Sequence, residues 1–325
     1  MSSNRVWVIT GVNSGLGFAL ATHVASQGDK VIGSVRLLSK FPEALREIGV
    51  TPIVVDFSAA DEDIKEAARS ALKVLGKVDV LVNNAGIGMF GPVEELQLSD
   101  IRKSFQTNVF GIIAFTQPFI EYFRTRRIGH ILSLSSIVGT DPAPSWAAYN
   151  ASKAALEAFM DSLHHELKNF GVRVLLLVPG YFSSSFFHNL PNVPQASSPV
   201  AAPSDQHDQG SKIYTDPLTQ GFGSDTAITK MHIEQGQIGD PAKYAARVYE
   251  VVTGTGLVQQ AGVIARTVNG SWEGPWEMNR VPLGRDCGER LAERLRLLQE
   301  NVELYKPITE STDVEKERLK YFPRG

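Results

Sequence analysis

Ser136, Tyr149 and Lys153 are the residues of this chain whose types and spacing suit proton chemistry. Tyr149 and Lys153 stand four apart in Tyr149-Asn150-Ala151-Ser152-Lys153, about one helical turn, so a phenol and an ammonium share one helix face. A cation held there favours the phenolate and is expected to bring the tyrosine pKa down towards neutrality, which suits a general acid/base. Ser136 lies 13 positions before Tyr149, at the end of the apolar run Ile131-Leu132-Ser133-Leu134-Ser135-Ser136. Taken singly these residues are ordinary: a helical Tyr and Lys at this spacing is usually a packed ring beside a solvated charge. Ser-Ser after a strand is usually turn chemistry.

A second signal changes that balance. Thr10-Gly11-Val12-Asn13-Ser14-Gly15-Leu16-Gly17 follows the strand-like run Arg5-Val6-Trp7-Val8-Ile9 and opens a helical pattern from Leu16 to about Gln27. Glycines let the backbone turn tightly and approach a ligand, and the first amides of the helix point at a pyrophosphate. A lone glycine-rich loop is a weak sign; the strand before it and the helix after it make dinucleotide binding the favoured reading.

These residues need elements to hold them. Strand patterns fall at Val6–Ile9, Lys30–Val35, Thr51–Val55, Val78–Val82, His130–Leu134 and Arg173–Val178, with helical patterns between them. Nearly all-apolar strands alternating with helices predict a single doubly wound α/β fold, a parallel sheet covered on both faces. After Pro179-Gly180 the composition shifts. Residues 183–238 are rich in Ser, Pro, Gln, Gly and Asp and read as a long substrate-lid insertion. Pattern resumes at Asp240-Pro241, an N-cap followed by proline at the first helical position, and runs to about Val252. Gly262–Thr267 reads as a last short strand. The expected organisation is one domain over 1–270 and an extension over 271–325, packed on the domain or on a neighbouring subunit. The extension carries one helical stretch, Cys287 to Leu304, with Leu291, Leu295 and Leu298 at helical spacing.

The bulk properties exclude several classes. The chain has 325 residues, 43% of them hydrophobic, enough for a large core. Lys and Arg total 32 against 35 Asp and Glu, so no basic excess points to nucleic acid. The single Cys287 rules out an intramolecular disulfide framework and fits a reducing compartment. The first strand pattern begins within a few residues of Met1, which leaves no room for a signal peptide, and no apolar stretch is long enough for a membrane span. A soluble, cytoplasmic protein is expected.

The assembled motifs resemble the short-chain dehydrogenase/reductase family over about residues 5–185 and again over 240–267. Gly11, Asn13, Ser14, Gly15, Leu16 and Gly17 are in the family's cofactor-loop spacing. Asn83-Asn84-Ala85-Gly86 follows the fourth strand, where the family keeps a motif that stabilises the sheet and lines the cofactor. Asn108, Ser136, Tyr149 and Lys153 fall where it has its catalytic tetrad. Pro179-Gly180, with Phe182 and Ser184 beyond, falls where it closes over the nicotinamide. The resemblance implies hydride transfer between nicotinamide C4 and a carbinol or carbonyl carbon. Tyr149 is then the acid or base, and Ser136 holds the reacting oxygen. Lys153 binds the ribose hydroxyls and depresses the Tyr149 pKa. Asn108 holds, through its backbone, a water linking Lys153 to solvent; a kink inside the helix is the rival purpose for its side chain.

Cofactor choice is read at the second strand. NAD-binding members of such folds place an acid at its end, but here the strand ends Ser34-Val35-Arg36. Arg36 and Ser34, with Lys40 nearby, suit a 2′-phosphate through charge-assisted bonds, so NADP(H) is expected in preference to NAD(H). Asp56 resembles the family residue that meets the adenine. A mostly reduced NADP pool favours ketone reduction.

The substrate is left less defined. Ile137, Val138, Trp146, Tyr181, Phe186 and Phe187 fall where the family shapes its substrate site, and their large apolar character suits a bulky or polycyclic molecule. Steroid- or retinol-like and polyketide- or terpenoid-like ketones fit equally. Two other classes stay open: a redox-neutral isomerase, epimerase or cyclase, and a non-catalytic cofactor-binding interaction protein. The resemblance also implies a homodimer or homotetramer built through helices near 100–125 and 150–170. No metal is expected: His164-His165 diverge on a helix, and Asp61-Glu62-Asp63 reads as a helix start. Trp272 and Trp276 are expected to pack the tail.

Overall fold

The apolar runs before residue 180 become strands of one parallel sheet. The structure, a computed structural model, describes residues 4–184, 186, 239–262, 266–268, 271–273 and 279–311. In chain order the first strands are β1 (Val6–Ile9), β2 (Lys30–Val35), β3 (Thr51–Val54), β4 (Val80–Asn83), β5 (Gly129–Leu134) and β6 (Val172–Pro179). They lie in the order β3-β2-β1-β4-β5-β6. Val8 sits opposite Ile32 on one side and Leu81 on the other, and Leu132 faces Leu175. The strand order reverses between β1 and β4, and a sheet of this kind opens a ligand crevice at such a point, beyond the carboxyl ends of the strands.

Helices cover both faces. They are α1 (Gly15–Ser26), α2 (Glu43–Glu47), α3 (Asp61–Val74), α4 (Leu98–Phe105), α5 (Gly111–Arg126), α6 (Ile137–Thr140), α7 (Ala147–Leu167), α8 (Pro241–Thr253), α9 (Gly256–Gln260), α10 (Arg285–Leu304) and α11 (Lys306–Ser311). Side chains alternate across each strand, so each strand feeds two cores. Val6, Val8, Leu81, Ile131, Val174 and Leu176 face α3, α5 and α7, where Phe115, Phe119 and Phe123 repeat every four residues. Each of those rings is fully buried, which contributes about 1.5–3 kcal/mol apiece. Trp7, Ile9, Val80, Val82, Leu175 and Leu177 face α1 and α8. The expected helix starts hold: Asp240 accepts from Ala242 N at 2.8 Å ahead of Pro241, and three acids open α3 at its positive end.

The expected last strand does not. Arg266–Val268 (β7) pairs antiparallel with Ser271–Glu273 (β8) in a separate two-stranded sheet. The seventh strand of the main sheet is β9 (Arg280–Leu283), parallel to β6, with Leu177 opposite Val281. Its four residues include Arg280 and Pro282, a pattern tolerated at a sheet edge and hard to recognise as a strand. The sheet thus takes a strand from beyond residue 270, where the extension was expected to begin.

Among the described residues, only the first turns of α10 join the body. Cys287 is fully buried and Leu291 packs on the core, whereas Leu295 and Leu298 are 63% and 44% exposed. Among the described residues no helix is long and apolar enough to cross a membrane.

Candidate active site

The loop between β1 and α1 is shaped by steric necessity. Gly11 and Gly15 have φ of +70° and +59°, a region side chains disfavour. A Cβ on Gly17 would collide with the Asn84 amide nitrogen and the Gly11 carbonyl. Neighbouring strands pin the loop: Gly11 N donates to Ser34 Oγ at 3.2 Å and Val12 N to Ser34 O at 3.0 Å. Asn84 Nδ2 donates to Thr10 O at 2.8 Å and Gly11 O at 3.1 Å. The Thr10 hydroxyl accepts from the amides of Asn84 and Ala85, each at 2.9 Å. Thr10 opens the loop motif in the sequence, but its type alone does not mark it as the residue that ties this loop to the turn after β4. Ser14 precedes α1 without capping it by its side chain, so the first-turn amides face the crevice.

That crevice is a single cleft of about 580 Å³ running from Arg36 to Phe186. At one end, exposed Arg36 and Lys40 stand past the tip of β2, beside Asp56. Hydrogen bonding by the Ser58 hydroxyl holds the Asp56 carboxyl below its ordinary value, with Arg36 adding to this. Ser34 is buried beneath and serves the glycine loop. Lys103 and Thr107 line this end too, although neither stood out from a charged helix in the sequence.

At the other end the triplet comes together. Ser136 lies two residues past the end of β5, accepts from Val138 N at 3.4 Å as the cap of α6, and its hydroxyl is hydrogen-bonded to the Tyr149 phenol. Lys153, 3% exposed, places Nζ 5.7 Å from the centre of the Tyr149 ring and donates to Leu134 O at 2.7 Å. Gly86 faces the same point, where a Cβ would lie 3.2 Å from Asn108 Oδ1 and 3.5 Å from Lys153 Nζ.

The electrostatics depart from expectation. Burial raises the Tyr149 pKa, outweighing the Ser136 bond, so the phenol is protonated. Burial also brings Lys153 down to about 8, against a smaller upward pull from Glu157. Helix spacing put the cation beside the phenol correctly, but it carried no information on how dry both groups are.

Asn108 lies within a π-helical turn, Gln106–Phe110, that interrupts the helix between α4 and α5. Its side chain bonds both the amide and the carbonyl of Ile87 and donates to Ser152 Oγ. The helix irregularity is therefore real, and the side chain ties the loop after β4 to α7. Glu157, one turn beyond Lys153 and unmarked in the sequence, accepts from Ser135 Oγ at 2.5 Å, Thr140 Oγ1 at 3.1 Å and Arg280 Nη2 at 3.4 Å. It holds the shoulders of Ser136 from beneath.

The substrate-side residues divide. Trp146 lies 5.7 Å from the Tyr149 ring and 6.4 Å from Phe186, and Phe186 lies 5.6 Å from Tyr149, forming an aromatic wall. Phe90, 5.3 Å from Trp146, backs it. Ile137 and Val138 reach the cleft but are buried core residues. Phe182 does both as well, lining the cleft while its ring packs 5.5 Å from Tyr244. Pro179, Gly180, Tyr181 and Ser184 line the same wall. Phe187, Trp276 and residues 187–238 of the expected lid lie outside the described residues, as does the Trp272 side chain. His164 turns Nδ1 to Val174 O at 3.3 Å inside the fold.

Residues 5–193 match the family model described as short chain dehydrogenase. Mouse dehydrogenase/reductase SDR family member 7B is 37% identical over 194 residues, 57% of this chain and 60% of that protein. The match thus spans about three fifths of the mouse protein's length. A short-chain dehydrogenase from Streptomyces avermitilis superposes with a TM-score of 0.73 at 26% identity, covering 96% of this chain and all of that one. A metagenomic short-chain oxidoreductase in complex with NADP is 34% identical, with a TM-score of 0.51 over 55% of this chain and 83% of that one. Another of the same fold, from Burkholderia phymatum, was solved with NAD at 24% identity, TM-score 0.68, over 93% of this chain and 95% of that one.

Proposed function

Because the chain belongs to the short-chain dehydrogenase/reductase family, we propose that it is an NADPH-dependent carbonyl reductase acting on a bulky apolar ketone. The observation that carries this reading is the meeting of Ser136, Tyr149 and Lys153 beside Trp146 and Phe186 in one cleft that also holds the glycine loop. Bound NADPH would supply the hydride.

The chain's own residues do the rest. Tyr149 gives its proton to the carbonyl oxygen as negative charge develops there. Ser136 donates to the same oxygen and fixes its place. Lys153, charged below about pH 8, favours the phenolate that Tyr149 becomes. Uncapped first-turn amides of α1 suit a pyrophosphate, and the close fit at Gly11 and Gly17 lets backbone approach it. Support for the phosphorylated coenzyme comes from Arg36, with no carboxylate at the tip of β2 to take ribose hydroxyls. Trp146, Phe186 and Tyr181 suit flat, fused-ring or polyene ketones of the steroid, retinoid, polyketide or terpenoid kind.

The exposed side chains of Phe110 and Phe159, 52% and 51%, support a homodimer or homotetramer through the faces that carry them. The deciding experiment follows NADPH absorbance with a panel of such ketones, beside NADH. Product formed without net NADPH consumption would replace the reductase reading with a redox-neutral one.

A further inference from the structure

Helix α10 reaches the walls of the cleft through Arg290. Arg290 of α10 donates from Nε to Asp141 Oδ2 at 2.6 Å and from Nη2 to the Asp141 carbonyl at 2.9 Å. Its remaining terminal nitrogen, Nη1, donates to the Tyr181 hydroxyl at 3.2 Å. The planar guanidinium thus spends its fork on two separate segments.

Both segments wall the cleft. Asp141 closes α6, the short helix that Ser136 caps and whose Ile137 and Val138 reach the cleft. Tyr181 follows Pro179-Gly180 and lines the cleft itself. The end of β9 and the start of α10 grip the second segment again. Asp286 Oδ2 accepts from Tyr181 N at 2.7 Å, Cys287 Sγ donates to Val178 O at 3.1 Å, and Gly180 N donates to Leu283 O at 2.8 Å. A Cβ on Gly180 would land on the Asp286 carboxylate, so backbone and helix are flush there. Arg290 lies outside the residues 5–193 that carry the family match.

We infer that Arg290 is a positioning residue of the active site. It locks the loop after Ser136 and the segment after Pro179-Gly180 in one relative geometry, and so sets the width of the substrate side of the cleft. The pair is partly exposed, 28% for Arg290 and 30% for Asp141, and such pairs add little to global stability. Its loss is therefore local.

Hydrogen exchange on the full chain tests this without a substrate. In R290A, amides over 138–145 and 181–184 exchange about tenfold faster or more, while β5 and α7 keep their protection. R290K, a point donor without the fork, gives an intermediate result. D141N loosens 138–145 as R290A does, and the double variant loosens it no further. Unchanged protection in both segments overturns the inference, and so does loosening spread evenly over the sheet.

The kinetic consequence rests on the carbonyl-reductase reading. With benzil as a bulky diketone probe, R290A raises KM about tenfold and leaves kcat within about threefold. NADPH affinity, read by fluorescence, stays unchanged. A fall in kcat at constant KM also overturns the inference. A native chain that ignores benzil counts against the reductase reading, and the exchange result then decides the positioning role alone.

Discussion

Asn108 grips Ile87 with both ends of its amide: Oδ1 accepts from Ile87 N and Nδ2 donates to Ile87 O, each at 2.8 Å. The same Nδ2 donates to Ser152 Oγ at 3.1 Å, so the π-helical turn, the loop after β4 and α7 meet at one buried side chain. Asn108→Ala strands those partners in the interior. We expect a loss of about 2–4 kcal/mol in denaturant unfolding, since unpaired buried groups cost more than a bond's net contribution. A loss below about 0.5 kcal/mol would mean that the amide is no tie.

Tyr149→Phe keeps the ring against Trp146 and Phe186 and removes only the proton. Turnover falls by about 10²–10⁴-fold, the range of general-acid contributions. NADPH binding changes little, because the phenol is not what holds the coenzyme's phosphates. Ketone reduction persisting at native rate in stopped-flow would remove Tyr149 from the reaction.

On the proposed NADPH reading, Arg36→Glu reverses the charge offered to the 2′-phosphate. The Kd for NADPH rises about 10–100-fold, the equivalent of a lost charged hydrogen bond, while the Kd for NADH stays level or falls. Titration of intrinsic fluorescence with both coenzymes measures the ratio. Equal weakening of both would show that Arg36 acts on the fold and not on the phosphate.

His130 gives the fold an acid limit. Burial, with Arg173 and Arg5 adding to it, brings its pKa from 6.5 to about 3. The folded value is depressed for a group that gains charge on protonation, so the unfolded chain takes up the proton first as pH falls. Stability from this source is whole above pH 6.5 and drains away between 6.5 and 3. At pH 4.5 the deficit is about 2–3 kcal/mol. In His130→Phe the midpoint falls less between pH 7 and pH 4.5 than in the native chain. Parallel falls would assign the acid limit to other groups.

The sequence made legible whatever depends on local period. Ser136, Tyr149 and Lys153 meet as their spacing implied, because a helix of 3.6 residues per turn fixes Tyr149 against Lys153 regardless of context. The glycine loop was equally readable, since strand, turn and helix are contiguous. Tertiary surroundings were not. Tyr149 is more basic than its neighbour Lys153 alone would make it, because dryness is conferred by Trp146, Phe186 and the sheet together. β9 was missed because four residues with a proline become a strand only against the open edge of β6. Arg290 reads as one more charge in a charged helix until Asp141 is brought beside it.

The pairing of β6 with β9 has a consequence for how the protein is made. Every residue of β6 is buried, yet its outer edge is completed by Arg280–Leu283. During synthesis, the glycine loop, the triplet and six strands leave the ribosome well before the seventh. Until residue 283 emerges, the nascent chain carries an apolar strand with unpaired amides and carbonyls, the kind of edge that recruits other chains. A premature stop or a proteolytic nick before Arg280 restores that edge. Arg280–Leu283 is then a completion mark: it replaces the long apolar edge of β6 with a four-residue edge carrying Arg280 and Pro282, which recruits other chains poorly, while chains that stop short of it are substrates for chaperones and proteases.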